Sequence, residues 1–257
     1  MDSLRKLQPN LFLIDGGDTG EGPNYLRAWK PLILWDAMMA MGYDLISLGE
    51  RDISDTSKVW LSARSMASTR FLGGNMTLKN DATPFLDTYA ILQKGHVKLG
   101  VVAAMDLRLA SRLPGLSLEP VEQTLNQAQK AFARANVDFR VLIYHGLLSD
   151  AERLATERTD FDLILLGHSI GRPMQSRAEP GRVPIVGPGD RGRELAWITL
   201  KTPLKSEEEK FQCTIVPLGN HVPDSPKAQT FLQKAREVGK QIYTQYSRRR
   251  TRLKPKR

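Results

Sequence analysis

The chain has 257 residues, 41% hydrophobic and 25% charged, a composition that suits a globular protein able to bury a sizeable core. No apolar run reaches the roughly 18 to 20 residues needed to cross a bilayer, the longest stretches being "LILWDAMMAM" and "VLIYHGLL". A single cysteine, Cys213, excludes an internal disulfide and a thiolate zinc site, and reads as a small core residue on a strand.

The formal charge is +9, but the closing stretch "RRRTRLKPKR" carries seven of the cations, and without them the charge falls to +2. The basic balance therefore belongs to residues 247–257, read as a tail able to contact anionic partners nonspecifically. No aromatic residue interleaves there to stack on bases, which leaves a solvated end as the simpler reading. The opening "MDSLRKLQPN" has no apolar signal core, so as it stands the chain points to a cytoplasmic protein. A start further upstream would make it periplasmic or exported.

Strand-like runs alternate with helical ones. "LFLID" (11–15) precedes a helix near 25–41, "DLISL" (44–48) precedes a helix near 57–67, and "FLGGNM" (71–76) follows. Residues 88–105 read as a hairpin turning at Gly95 and His96. A helix near 121–135, "FRVLIYH" (139–145), a helix near 149–157 and "FDLILLGH" (161–168) come next. "VPIVGPGDRGRELAWITL" and "FQCTIVPLG" read as antiparallel strands around the polar turn "KSEEEK". The order predicts an α/β domain whose sheet is only partly parallel.

Open α/β sheets place ligands at the carboxyl ends of their strands, and four such ends carry chemistry. "LFLID" leads to Asp18, "LISL" to Glu50, "VLIY" to His145 and "LILL" to His168. Two carboxylates and two imidazoles make a sound donor set for a divalent transition metal. Each group taken alone reads equally as a cap on the following helix or turn. His96, in a hairpin turn, and His221, before "VPDSP", read as ordinary surface residues.

"LFLIDGGDTGEG", "MGYDLISLGERDIS", "FLGGNMTL", "KLGVVAAMDL", "VLIYHG", "LILLGHSIGRP" and "VGPGDRGRELAWITL" resemble, in order and spacing, the metallophosphatase domain of the 5'-nucleotidase family, within the calcineurin-like metallophosphoesterases. The resemblance implies a four-layer αββα sandwich of two mixed sheets and a two-metal site. It matches Asp18 to the bridging aspartate, Glu50 to the asparagine of Gly-Asn-His-Glu, His145 to a later histidine and His168 to the first histidine of Gly-His-x-His. Those four form the complete second-metal set, with asparagine changed to a carboxylate. The first metal's Asp-x-His strand would lie upstream of Met1, so the fold is expected to lack its first strand, and that metal's last ligand is replaced by Ile170. Arg51 stands at the catalytic histidine and Ser54 at the aspartate that would orient it.

The resemblance thus implies one divalent ion (Mn, Zn or Fe), a phosphoester or nucleotide substrate, and catalysis impaired or lost through the changes at Ile170 and Arg51, the alternatives being an active metal-dependent phosphoester hydrolase or a fragment of a longer exported protein. Arg51 could meet a phosphate oxygen, or pair with Glu50 or Asp52 and fill the empty first-metal pocket. The expected organisation is a metallophosphatase-like domain at 1–221, a helical segment at 222–246 that in the family leads to a nucleotide-binding domain, and the tail.

Overall fold

The computed structural model describes residues 5, 8–20, 26, 29–53, 55–65, 70–80, 82–168, 171–176, 179–201, 211–220, 222 and 225–252. Ser54, Ile170, His221 and the turn at 205–210 fall outside them. In chain order the elements are β1 (Ile14–Asp15), α1 (Lys30–Ala40), β2 (Leu45–Ser47), α2 (Thr56–Ser65), β3 (Arg70–Leu72) and β4 (Met76–Leu78). Then come β5 (Tyr89–Lys94), β6 (Val97–Met105), a 3-10 turn (Leu107–Arg112), β7 (Leu116–Leu118), α3 (Val121–Ala135), β8 (Phe139–His145) and α4 (Leu148–Glu157). The last are β9 (Leu163–Leu166), β10 (Met174–Gln175), β11 (Ile185–Gly187), β12 (Glu194–Leu200), β13 (Phe211–Pro217) and α5 (Pro226–Arg252).

Two sheets form the middle of the molecule. The first orders its strands β1-β2-β3, all parallel, and the second β10-β11-β9-β8-β6-β5, parallel except at its two edges. Alternation along β8 shows how one strand serves two layers: Val141 and Ile143 point into the core shared with the first sheet, while Leu142 and Tyr144 point outward. That outer face is covered by Leu125, Ala128 and Phe132 of α3 and Ala151, Leu154 and Ala155 of α4. On the far side, Trp35 of α1 and Val59 of α2 cover Ile46, Leu48 and Phe71, with Trp35 edge-on to Phe71 at 5.1 Å. The layers therefore run helix, sheet, sheet, helix, the four-layer αββα sandwich that the resemblance implies.

β1 lies at the end of the first sheet and pairs only with β2 among the described residues. The antiparallel pair β12-β13 packs Ala196, Ile198, Phe211 and Ile215 into the same inter-sheet core. At the end of the sandwich away from the strand tips, Lys94 reaches from β5 to the carbonyl of Leu11 (2.6 Å) and to Asp44 (2.7 Å). Asp44 in turn accepts the Leu13 N–H, so this ion pair ties both sheets at their base.

Two expected strands resolve differently. "FLGGNM" breaks into β3 and β4, because Gly74 takes φ +62 against the Ala103 carbonyl and the Asn75 amide is consumed in bonds to Met105 and Glu119. "VPIVGPGDRGRELAWITL" divides between sheets, β11 joining β9 and only β12 pairing with β13. Helix α5 lies against α1, where Lys234 donates to Asp36 (3.0 Å), and it continues through residues 247–252, the start of the stretch read as a tail. Among the described residues no helix is long and apolar enough to cross a membrane.

Cys213 lies half-buried on β13, and burial pushes its thiol up to about 11. Thiol labelling at neutral pH should accordingly run about tenfold or more slower than for a free cysteine, a rate that urea restores.

Candidate metal centre

The four strand-tip residues converge. Asp18, Glu50, His145 and His168 each offer one ligand atom, and those atoms all lie within 4.8 Å of one another. Among the described residues no other group of three or more such donors comes together. The first sheet supplies the carboxylates, from the loops after β1 and β2, and the second supplies the imidazoles, from the last residue of β8 and the loop after β9.

Asp52 holds the carboxylate half in place. Its Oδ2 accepts the N–H groups of Asp18 (2.8 Å) and Gly49 (2.9 Å), and its Oδ1 accepts the Thr19 hydroxyl (2.6 Å) and the Gly20 N–H (2.8 Å). One buried carboxylate thus sews two loops together using donors that would otherwise be orphaned. Asp18 itself sits at φ +63, a left-handed conformation that aspartate tolerates better than most residues, and its Oδ1 accepts the Arg51 N–H (3.1 Å).

Crowding then removes side chains where the halves meet. A Cβ on Gly49 would lie 2.2 Å from Asp18 Oδ1 and 2.5 Å from His145 Cε1, and one on Gly167 would lie 2.3 Å from the Gly16 carbonyl. Only glycine permits these approaches.

His145 Nε2 is the hub: it lies 2.8 Å from Glu50 Oε2, 3.4 Å from Asp18 Oδ1 and 3.3 Å from His168 Nδ1. His168 Nδ1 is 3.6 Å from both Asp18 Oδ2 and Glu50 Oε2. His145 Nδ1 is buried with no hydrogen-bond partner among the described residues, so the ring's polar contacts are all made on the cluster side. Arg51 Nε lies 3.6 Å from Asp18 Oδ2 and 3.7 Å from Glu50 Oε1, beside the cluster rather than within it.

The electrostatics fit a cation. Burial works to raise Asp18 and Glu50, but hydrogen bonds to His145 and His168 outweigh it and hold both carboxyls below the usual range. Burial works to lower His145, yet its carboxylate partners lift it, and the same partners lift His168. Two carboxylates thus draw protons onto two imidazoles, the positive charge that a divalent ion would supply in their place. Ligands of an ion bound at 2.0–2.2 Å stand at most about 4.4 Å apart, so the 4.8 Å cluster closes around one with small side-chain shifts.

Three further residues contribute to the centre. Asp15, whose Oδ1 accepts the Gly17 N–H (2.9 Å), is pushed up to about 7 by burial, with Asp52 and Asp18 adding to the rise. Asp52 had a local signal, a carboxylate three residues after a glycine in a tight turn. Arg112, which donates to Glu50 Oε1 at 3.1 Å, had none, being 62 positions away.

Comparison with known proteins gives this arrangement a context. No family model matches the chain. In sequence it is 22% identical over 209 residues to the 5'-nucleotidase of Rattus norvegicus, covering 76% of this chain and 36% of that protein, with the same identity and coverage for the Homo sapiens protein. In structure it is similar to a 5'-nucleotidase precursor from Thermus thermophilus (TM-score 0.74, 16% identity, 92% of this chain and 51% of that one). It is also similar to the calcineurin-like phosphoesterase YfkN from Bacillus subtilis (TM-score 0.73, 17% identity, 92% and 86%). The chain spans about a third of the length of the curated relatives it matches. The αββα sandwich of this chain is thus similar to the fold of a 5'-nucleotidase precursor and of a calcineurin-like phosphoesterase, and its sequence is similar to that of 5'-nucleotidases.

Two substitutions test the construction of the centre. Gly49→Ala should weaken manganese or zinc binding by about 10- to 100-fold in calorimetry, since its methyl group displaces Asp18 and His145. Asp52→Ala should lower unfolding stability by about 3 kcal/mol in urea titration, the cost of stranding several buried donors.

Proposed function

We propose that this domain is a phosphoester-binding site of the 5'-nucleotidase type that holds one divalent ion through Asp18, Glu50, His145 and His168 and turns over substrate poorly. The observation that carries this reading is the convergence of four donors from two sheets on one point. Mixed carboxylate and imidazole donors suit manganese, zinc or iron. Such an ion supplies Lewis acidity toward a phosphoryl oxygen. Asp18 and Glu50 contribute the negative charge that retains it, buried His145 fixes the inner wall, and half-buried His168 closes the rim.

Arg51 supports the impaired side of this reading. Its guanidinium stands where the resemblance implies a histidine, and an arginine does not release a proton near neutral pH. It can bind an oxyanion but cannot relay a proton, and losing a positioned acid or base costs typically about 10²- to 10⁴-fold in rate. The relatives are called 5'-nucleotidases, which makes a nucleoside monophosphate the first substrate class to try.

Metal content measured by mass spectrometry after incubation with manganese or zinc should give about one equivalent per chain in the wild type and none in His168→Ala. Hydrolysis of adenosine 5'-monophosphate should stay near background in the wild type and rise about 10²-fold in Arg51→His. Wild-type turnover that His145→Ala abolishes would establish an active hydrolase instead, and metal-free protein under both conditions would refute the site.

A further inference from the structure

Glu50 divides its carboxylate between two environments. Oε2 faces His145 and His168, whereas Oε1 faces two guanidiniums, accepting from Arg112 Nη1 at 3.1 Å and lying 3.7 Å from Arg51 Nε. Burial separates the partners as well: the Glu50 side chain is 2% exposed, Arg51 36% and Arg112 59%. Two cations thus sit on the solvent side of one buried anion, at the mouth of the donor cluster.

Arg112 is delivered there by the fold. It ends the 3-10 turn Leu107–Arg112, which leaves β6, and the Asp106 N–H at the head of that turn donates to the His145 carbonyl (2.9 Å). Asp106 also accepts from the Arg108 N–H (2.9 Å), and Arg108 further bridges Asp106 and Asp150. The turn is therefore anchored to the strand that carries a ligand, and its far end swings over Glu50. Arg112 uses one N–H on Glu50 and keeps a planar fork of donors toward solvent.

We propose that Arg112, together with Arg51, forms an oxyanion subsite at the mouth of the metal centre, shaped for the dianionic head of a phosphate monoester. This rests on the metal reading above in one respect, the charge it predicts. The two guanidiniums offset Asp18 and Glu50, so the charge of a divalent ion at the cluster would face a bound phosphate uncancelled by these four side chains. Each guanidinium can bind phosphate oxygens bidentately, a geometry that lysine does not reproduce. Glu50 in turn stops the two cations from repelling one another apart.

The test is calorimetric titration of inorganic phosphate into the full chain, with and without manganese, comparing wild type, Arg112→Ala and Arg112→Lys, with manganese stoichiometry measured in parallel. Arg112→Ala should weaken phosphate binding about tenfold or more, and Arg112→Lys should recover only part of it, while both bind as much manganese as the wild type. Phosphate affinity unchanged in Arg112→Ala overturns the subsite even if manganese binds. Should no variant bind manganese, the metal reading falls by itself, and the metal-free titration decides: phosphate bound by the wild type and lost in Arg112→Ala upholds the subsite, and none bound by the wild type overturns it.

Discussion

The carboxylate of Asp52 is the interaction on which the centre depends. With four donors from two loops, it turns a pair of strand tips into one rigid lip and fixes Asp18 beside Glu50. Its energetic logic is that of a satisfied buried network: burial and the nearby Asp18 charge push its pKa up, and donors from Thr19, Gly49 and Gly20 offset part of that rise. Three of its four donors are backbone N–H groups of the loops that follow β1 and β2. The acid in "GERD" that resembles nothing catalytic is the one that lets the others be placed.

Much of this was legible beforehand. Short apolar runs with polar tips marked β2, β8 and β9, and the strand-end rule put Asp18, Glu50, His145 and His168 on a common rim. What stayed hidden was set by tertiary geometry. "FLGGNM" has strand composition throughout, yet the approach of Gly74 to the Ala103 backbone splits it, an event decided by a segment tens of residues away. "VPIVGPGDRGRELAWITL" carries two sheet memberships in one apolar run, and only the partners available to each half separate them. Arg112 escaped because an arginine in "LRLASR" looks like a solvated turn residue until the fold brings Glu50 beneath it.

Where the resemblance implies an asparagine and a histidine, Glu50 and Arg51 stand side by side, and Glu50 brings a second carboxylate next to Asp18. Arg51 and Arg112 both lie within reach of Glu50 Oε1, so its charge is met on its solvent side. A carboxylate buried this deeply beside Asp18 would otherwise lack compensation on that face.

The carboxylates belong to one sheet and the imidazoles to the other, and the two sheets touch at this end through Gly16 and Gly167, backbone against backbone. Neither sheet alone contains more than half of a ligand set. The four-donor cluster therefore exists only in the docked sandwich, so a bound ion would act as a cross-brace between halves joined elsewhere mainly by side-chain packing. A change in the inter-sheet core around Leu45, Val141 and Ile143, remote from any ligand, would then be transmitted to the centre as a change in the gap the ion has to span.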